Sequence, residues 1–292
     1  MRFARIAGIE IKINIFFLII AIIYGFLGLG VEIIIIFASV ILHEIAHTIV
    51  GSLLGIKIAE IEMFPFGGQA SLESFHGLDP VKEIFTAMAG PICSLSVAAV
   101  FYFLPLVPFS EQLEFLIKLN LTLGLFNFLP FLPLDGGRVL RAVLSKSIGF
   151  KKATRIAATI GKAAGILMVS GGAYLTYYYF SGANLILVGI MLFWSAHQEG
   201  KLLMFSFMRF LVRKKGELSA RGFLPARQIV SSPEARIKNL LAETMPTYYM
   251  LVVVIDKNHE VAGILSEAEL IEQLLEEGPA AQAGECLPPS FH

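Results

Sequence analysis

Over the first 200 residues, apolar blocks of membrane-crossing length alternate with short polar connections, and the pattern then changes to that of a soluble fold. Ile9, Ile11, Ile13 and Ile15 alternate with polar residues, a period of two that predicts a short strand leading into a first span at about 14–30. No small-residue cleavage site follows that span, which argues against a signal peptide. A second apolar block covers 31–54, a third runs from about 81 or 84 to 106, and a fourth covers 115–134. Two more follow at 163–180 and 183–196, joined by a tight turn at Ser181-Gly182. Blocks of this length with few charges read as transmembrane helices, so about six are expected.

The connections are as informative as the spans. Residues 56–75 are too polar to cross, and their imperfect alternation before Phe64-Pro65-Phe66-Gly67-Gly68 predicts a hairpin or loop dipping into the membrane. Such backbone is tolerated at depth only when buried in protein or lining a watery cavity. Pro91 inside the third span and Pro130 and Pro133 at the end of the fourth interrupt regular helix. The second of these breaks delivers Asp135, followed by Gly136 and Gly137, on a locally unwound segment. Residues 138–162 carry seven Lys and Arg side chains and predict a basic loop and surface helix, and 201–216 a juxtamembrane amphipathic linker.

From Glu217 to about 278 the composition fits a small α/β domain. Met250–Ile255 and Val261–Leu265 read as strands around a turn at Asp256, and Ser266 with Glu269 forms a capping box opening a helix at 267–277. A further helix is expected near 233–243, and 279–292 is expected to be a flexible tail.

Composition agrees with this division. The chain of 292 residues is 56% hydrophobic and 16% charged, with a mean hydropathy of +0.73, against about 25% charged in soluble domains. Its 23 basic and 23 acidic residues cancel, which gives no reason to expect nucleic acid as a partner. The distribution of charge matters more than its sum. Lys and Arg occupy the N-terminus and the connections at 55–82, 138–162 and beyond 199, and are absent near 30, 107–114 and 181. By the positive-inside rule both termini are cytosolic in a multi-pass cell-membrane protein. The two cysteines, Cys93 and Cys286, lie in an apolar helix and in the tail and predict neither a disulfide nor a thiolate metal site.

Within the second span stands His43-Glu44-Ile45-Ala46-His47. Residues four apart share one helix face, so the two imidazoles can meet one metal ion, and Glu44 can act as general base on water activated there. Ionisable groups at membrane depth are costly unless they serve an interior site. Catalytic zinc usually takes three protein ligands and keeps one position open. Asp135 is the candidate for the third, because the predicted topology brings the ends of spans two and four to the same membrane side. A helix cap or a pair with Arg138 is the other reading of Asp135. Asn127 could bind substrate or an oxyanion, or be a structural polar residue.

Four segments in order, His43 to His47, Phe64 to Gly68, Ala89-Gly90-Pro91 and Asn127 through Leu134-Asp135-Gly136-Gly137, resemble the site-2 protease family of intramembrane zinc metalloproteases (M50 type). The resemblance implies that His43, His47 and Asp135 bind one zinc ion and that Glu44 is catalytic. It also implies that Phe66, Gly67 and Gly68 belong to a membrane-embedded loop near the site. The substrate would be a membrane-associated protein. Six spans without an inserted PDZ domain, plus one C-terminal module, resemble the sporulation branch of the family. That branch cleaves a sigma-factor precursor in the mother-cell membrane around the forespore under membrane inhibitor proteins. Other members cleave anti-sigma factors or signal-peptide remnants.

The module after Glu217 is similar to a CBS unit, which implies adenine-nucleotide binding, with ATP as one candidate and Asp256 and Glu269 as its contacts. CBS units usually work in pairs, so a homo-oligomer through this module would restore one. A structural or substrate-docking module is the alternative, since Glu269 replaces the usual ribose-binding aspartate. Two other classes are disfavoured by the sequence. A di-iron oxygenase needs more histidines than the six present, and a CBS-gated transporter would be expected to show inverted half-repeats.

Overall fold

The computed structural model describes residues 2–6, 9–13, 25–26, 28–56, 60–64, 67–71, 79–104, 108, 110–179, 182–201, 222–245, 248–278 and 280–287. The expected first span and amphipathic linker lie mostly outside these residues, as does Phe66. The chain divides into two units, Met1–Leu140 with Ala157–Glu199, and Arg141–Ile156 with Gly200–His292.

The first unit opens with a sheet in which β1 (Arg2–Ile6), β2 (Ile9–Ile13), β3 (Glu60–Phe64) and β4 (Gly67–Ser71) neighbour one another in that order. The sequence predicted one N-terminal strand at 9–15. The structure instead has a hairpin, because Arg2–Ile6 turns back on Ile9–Ile13 in antiparallel register. β2 pairs parallel with β3, Glu10 opposite Glu60, and β3 pairs antiparallel with β4, Phe64 opposite Gly67. The hairpin expected around the glycines is therefore present, and β4 packs along the first long helix.

That helix, α1 (Gly30–Leu53), and α2 (Pro80–Phe103) have 24 residues each, about 36 Å at 1.5 Å per residue. Asp79 caps α2 by accepting from the Val81 N–H at 2.9 Å, with Pro80 in the first turn, where its missing donor costs nothing. Lys82 Nζ reaches the carbonyl of Leu54 at 2.8 Å and satisfies one of the C-terminal acceptors of α1. α3 (Glu111–Asn127), capped by Ser110, packs against both. It stops at Asn127, short of the span predicted to 134, because Pro130 and Pro133 cannot continue a hydrogen-bonded helix.

The basic loop and surface helix predicted for 138–162 are helical nearly throughout, as α4 (Asp135–Ile148) and the first turns of α5 (Phe150–Tyr179). With 30 residues, α5 is about 45 Å long, so a hydrocarbon layer of about 30 Å leaves a turn or more of it outside. Its basic first turns fit there. α6 (Ala183–Lys201) closes the unit on α5 through glycines: a Cβ at Gly165 would meet the Gly189 carbonyl at 2.8 Å, and one at Gly189 the Gly165 carbonyl at 2.9 Å. Among the described residues, α1, α2 and α5 are long and apolar enough to cross a membrane.

The second unit contains a three-stranded sheet of β5 (Ala226–Ser231), β6 (Tyr249–Ile255) and β7 (Val261–Ser266), with β6 central, parallel to β5 and antiparallel to β7. Strict alternation along β6 buries Met250, Val252 and Val254. They pack on α7 (Ile237–Leu240), α8 (Glu267–Glu277) and Phe150, which is 3% exposed. The single helix expected at 233–243 is shorter, α7 followed by a 3₁₀ turn over Leu241–Glu243. The capping box of Ser266 and Glu269 is present.

Candidate metal centre

Helix α1 is amphipathic in reverse. Its buried residues include Ser39, His43, His47 and Gly51, a polar and small stripe at intervals of four, while Ile34, Leu42, Ile49 and Leu53 are exposed. In water this would be unstable, but in a lipid solvent the apolar face belongs outside and the polar face must find protein partners. It does so on α2. His47 Nδ1 donates to the Thr86 carbonyl at 2.7 Å, and His43 Nδ1 lies 2.9 Å from Ser94 Oγ. Thr86, Gly90 and Ser94 form the matching stripe at intervals of four.

With each Nδ1 held by α2, both Nε2 atoms point at Asp135. Its Oδ2 lies 3.2 Å from His43 Nε2 and 3.2 Å from His47 Nε2, and the three side chains are only 4–9% exposed. The donors from all three residues fall within 4.8 Å of one another. The imidazoles meet edge to face, with centroids 4.9 Å apart. Glu44 is half-buried on the next position of α1. Arg138 lies one turn beyond Asp135 on α4, with Nη1 3.8 Å from Asp135 Oδ1.

Glycines make the approach of these elements feasible. A Cβ on Gly90 would stand 2.6 Å from His43 Nε2 and closer still to His47 Nε2, so this residue leaves open the space into which the ligand nitrogens point. At the other wall, a Cβ on Gly136 would strike the carbonyls of Phe128 and Leu129, and one on Gly137 the backbone of Phe131 and Leu132. The bare backbone lets the 128–134 turn fold onto the start of α4, which fixes Asp135. Leu132, fully buried, is held in turn by its N–H to the Ala157 carbonyl at 3.3 Å.

This donor set fits zinc: two neutral imidazoles, each with its other nitrogen hydrogen-bonded or poised for it, one carboxylate oxygen, and a cavity that any Cβ on Gly90 would fill. The model of peptidase family M50 matches residues 31–111 and 106–169, a range containing His43, Glu44, His47 and Asp135. The solved site-2 protease of Methanocaldococcus jannaschii is 34% identical and superposes with a TM-score of 0.53, covering 68% of this chain and 94% of that one. The chain belongs to peptidase family M50. Two curated relatives of the M50 chain extend the picture. A zinc metalloprotease of M. jannaschii is 34% identical over 214 residues, which is 69% of this chain and 61% of the relative. Stage IV sporulation protein FB of Bacillus subtilis is 33% identical over 120 residues, 40% of this chain and 41% of that protein. The chain thus spans between two fifths and three fifths of the length of these relatives.

The other residues singled out in the sequence have mixed positions. Asn127 ends α3 and its Nδ2 donates to the Leu123 carbonyl at 2.9 Å, within its own helix. Gly67 and Gly68 open β4 opposite Phe64 and Met63. Asp256 accepts from the N–H groups of Asn258 and Glu260, both at 2.8 Å, and Glu269 from the Ser266 N–H at 2.7 Å. Those carboxylates close a turn and a helix cap, which leaves no observation in favour of a nucleotide contact. Sequence reasoning missed Thr86, Ser94 and the spatial role of Gly90. The signal was available in their four-residue spacing, which matches that of the two histidines. It also missed Asn120, 1% exposed, which donates to Ser39 Oγ at 2.9 Å one turn before His43.

Proposed function

We propose that this protein is an intramembrane zinc metalloendopeptidase in which His43, His47 and Asp135 hold the metal and Glu44 is the general base. The observation that carries this reading is the convergence of three buried donor atoms on one point, with a glutamate one residue after the first ligand. Bound there, zinc would supply Lewis acidity toward the substrate carbonyl and toward water. The chain's own groups do the rest. Thr86 and Ser94 fix the imidazoles through Nδ1, which leaves each Nε2 lone pair free to ligate. Glu44 takes a proton from the attacking water as its oxygen adds to the carbonyl carbon and the π pair moves to the carbonyl oxygen. When the C–N bond breaks, its electron pair stays on nitrogen, which takes the proton from Glu44. The pair on the former carbonyl oxygen re-forms the C=O bond, and the proton left on the added oxygen passes to the amine, so carboxylate and ammonium are the products.

The substrate is a membrane-associated protein entering as extended chain. β4 supports this, since it is the last strand in the sheet order, begins with Gly67 and Gly68, and packs along α1. The likeness to stage IV sporulation protein FB favours a sigma-factor precursor as that substrate and membrane proteins as inhibitors. With that go six spans, cytosolic termini, which the Lys and Arg distribution favours, and a location in the mother-cell membrane. The β–α–β–β–α order of the second unit favours a CBS-like module that pairs two copies of the chain. The longer match to the archaeal relative favours instead a general M50 protease with another substrate.

The test is co-expression with the sigma-factor precursor of the same organism in a host lacking both. Shortened precursor is expected with wild type and not with Glu44→Gln or Asp135→Asn. Cleavage that survives Glu44→Gln refutes the mechanism. An intact precursor beside zinc-loaded wild-type protein refutes the sporulation substrate and leaves the general protease.

A further inference from the structure

We propose that Arg138 is a further catalytic residue, whose guanidinium binds the carbonyl oxygen of the scissile peptide as negative charge develops on it. The inference rests on the hydrolytic reading above. Four observations lead to it.

The first is position. The side chains of His43, His47 and Asp135 are 4–9% exposed, whereas that of Arg138 is 27% exposed, although its Nη1 is only 3.8 Å from Asp135 Oδ1. The guanidinium is therefore more accessible to an arriving substrate than the three donor side chains beside it. The second is orientation. Asp135 turns Oδ2 to both imidazoles and Oδ1 to Arg138, so the carboxylate separates the ligand nitrogens from the cation by its own width. Spacing of three along α4 keeps Asp135 and Arg138 on one helix face.

The third is charge. Arginine remains protonated at any working pH, and the Arg138 charge acts on Glu44 as well as on Asp135. A permanent cation beside a dication site works against metal binding. Its pairing with Asp135 offsets part of that cost, and a further favourable contribution comes when a new anion forms beside it, which is what addition to a peptide carbonyl produces. Donors already in place for a charge that appears only in the transition state lower the barrier without tightening substrate binding. The fourth is the position of the alternative. Asn127, the neutral donor suggested by the sequence, spends its Nδ2 on the Leu123 carbonyl at 2.9 Å.

The experiment uses full-length protein in detergent and a tagged substrate that wild type cleaves, with kcat, KM and zinc Kd (by chelator competition) measured for wild type, Arg138→Gln and Arg138→Lys. Arg138→Gln is expected to lower kcat by about 10²–10³-fold, the usual cost of removing one oxyanion donor. KM and zinc Kd should stay within about threefold of wild type, and Arg138→Lys should recover about tenfold of the lost kcat. An Arg138→Gln kcat like that of wild type overturns the proposal. So does a zinc Kd raised about 10–100-fold, which marks an outer-shell support of Asp135 instead. Should Arg138→Gln fail to fold, Arg138→Lys decides: about tenfold lower kcat at unchanged zinc Kd supports the role, and unchanged kcat overturns it. Wild-type protein that binds zinc and cleaves no tagged single-span protein overturns the hydrolytic reading, and this inference with it.

Discussion

Gly90→Ala separates helix stability from metal binding, because the two respond with opposite sign. Gly90 lies in the interior of α2, where replacing glycine by alanine favours the helix by about 1 kcal/mol. The new methyl would stand 2.6 Å from His43 Nε2 and 2.6 Å from His47 Cε1, where ordinary contact begins near 3.4 Å. A relief of roughly 1 Å is needed, and overpacking of this kind typically costs about 1–3 kcal/mol. The net is a loss of about 0–2 kcal/mol, small enough for the fold to survive.

The obstacles are ring atoms rather than backbone, so the imidazoles can rotate away. Rotation breaks the His47 bond to the Thr86 carbonyl and turns both Nε2 atoms from Asp135. Since ligand groups must be held within about 0.5 Å to act together, zinc affinity should fall by more than the ~10–100-fold typical of losing one outer partner. The assay is zinc stoichiometry and chelator competition on purified protein, beside thermal unfolding of the zinc-free form. Zinc-free Gly90→Ala should melt close to wild type and fail to retain metal. Wild-type zinc affinity in this variant would refute the placement of Gly90 at the metal space.

Three further outcomes are expected. Ser94→Ala removes the partner of His43 Nδ1 at 2.9 Å and should raise the zinc Kd about 10–100-fold with little change in unfolding, read by the same chelator competition. Phe150→Ala empties a 3%-exposed place in the second unit's core and removes the ring under Arg141, 5.5 Å from its centroid. It should cost that unit about 3–5 kcal/mol, seen as limited proteolysis after residue 222 at lower denaturant. The Cys286 thiol is pushed up to about 11, first by burial and then by the charges of Glu269, Glu277 and Glu285. It stays neutral where an unfolded thiol ionises, so maleimide labelling of folded protein at pH 8 should be up to about 100-fold slower than after denaturation. The same sign makes stability fall as pH rises from about 9 toward 11.

Much of the centre could be read from the chain because its parts are local. His43, Glu44 and His47 need only helical spacing to be placed, and the prolines before Asp135 marked the break that precedes it, although Asp135, Gly136 and Gly137 form the first turn of α4 and not the unwound segment expected. The partners were harder to see, because they belong to another helix. Within α2 only the four-residue spacing from Thr86 and Gly90 sets Ser94, 1% exposed beneath His43, apart from Ser96, which is exposed and bonds the Ile92 carbonyl of its own turn at 2.8 Å. The choice between them is made by which face of α2 meets α1. The same holds for Asn120 and Asn127, seven residues apart on α3, where only the former reaches α1.

Boundaries failed where hydropathy stood in for helicity. The charges of Lys151, Lys152, Arg155 and Lys162 predicted a basic loop and surface helix ahead of a separate span at 163, yet one continuous helix runs from Phe150 to Tyr179. Charge decides where a helix leaves lipid, and hydrogen bonding decides where it ends. Only Gly149, at φ +80°, breaks the helix between α4 and α5. Within the second unit, Phe150 fills the core beside Met250 and Val252, and Lys152 pairs with Glu243 at 2.6 Å. A stretch that looks like a polar connection in sequence is therefore a structural member of the C-terminal unit. Its apolar anchor was invisible because one phenylalanine among seven basic residues reads as an interruption until the surface that receives it has folded.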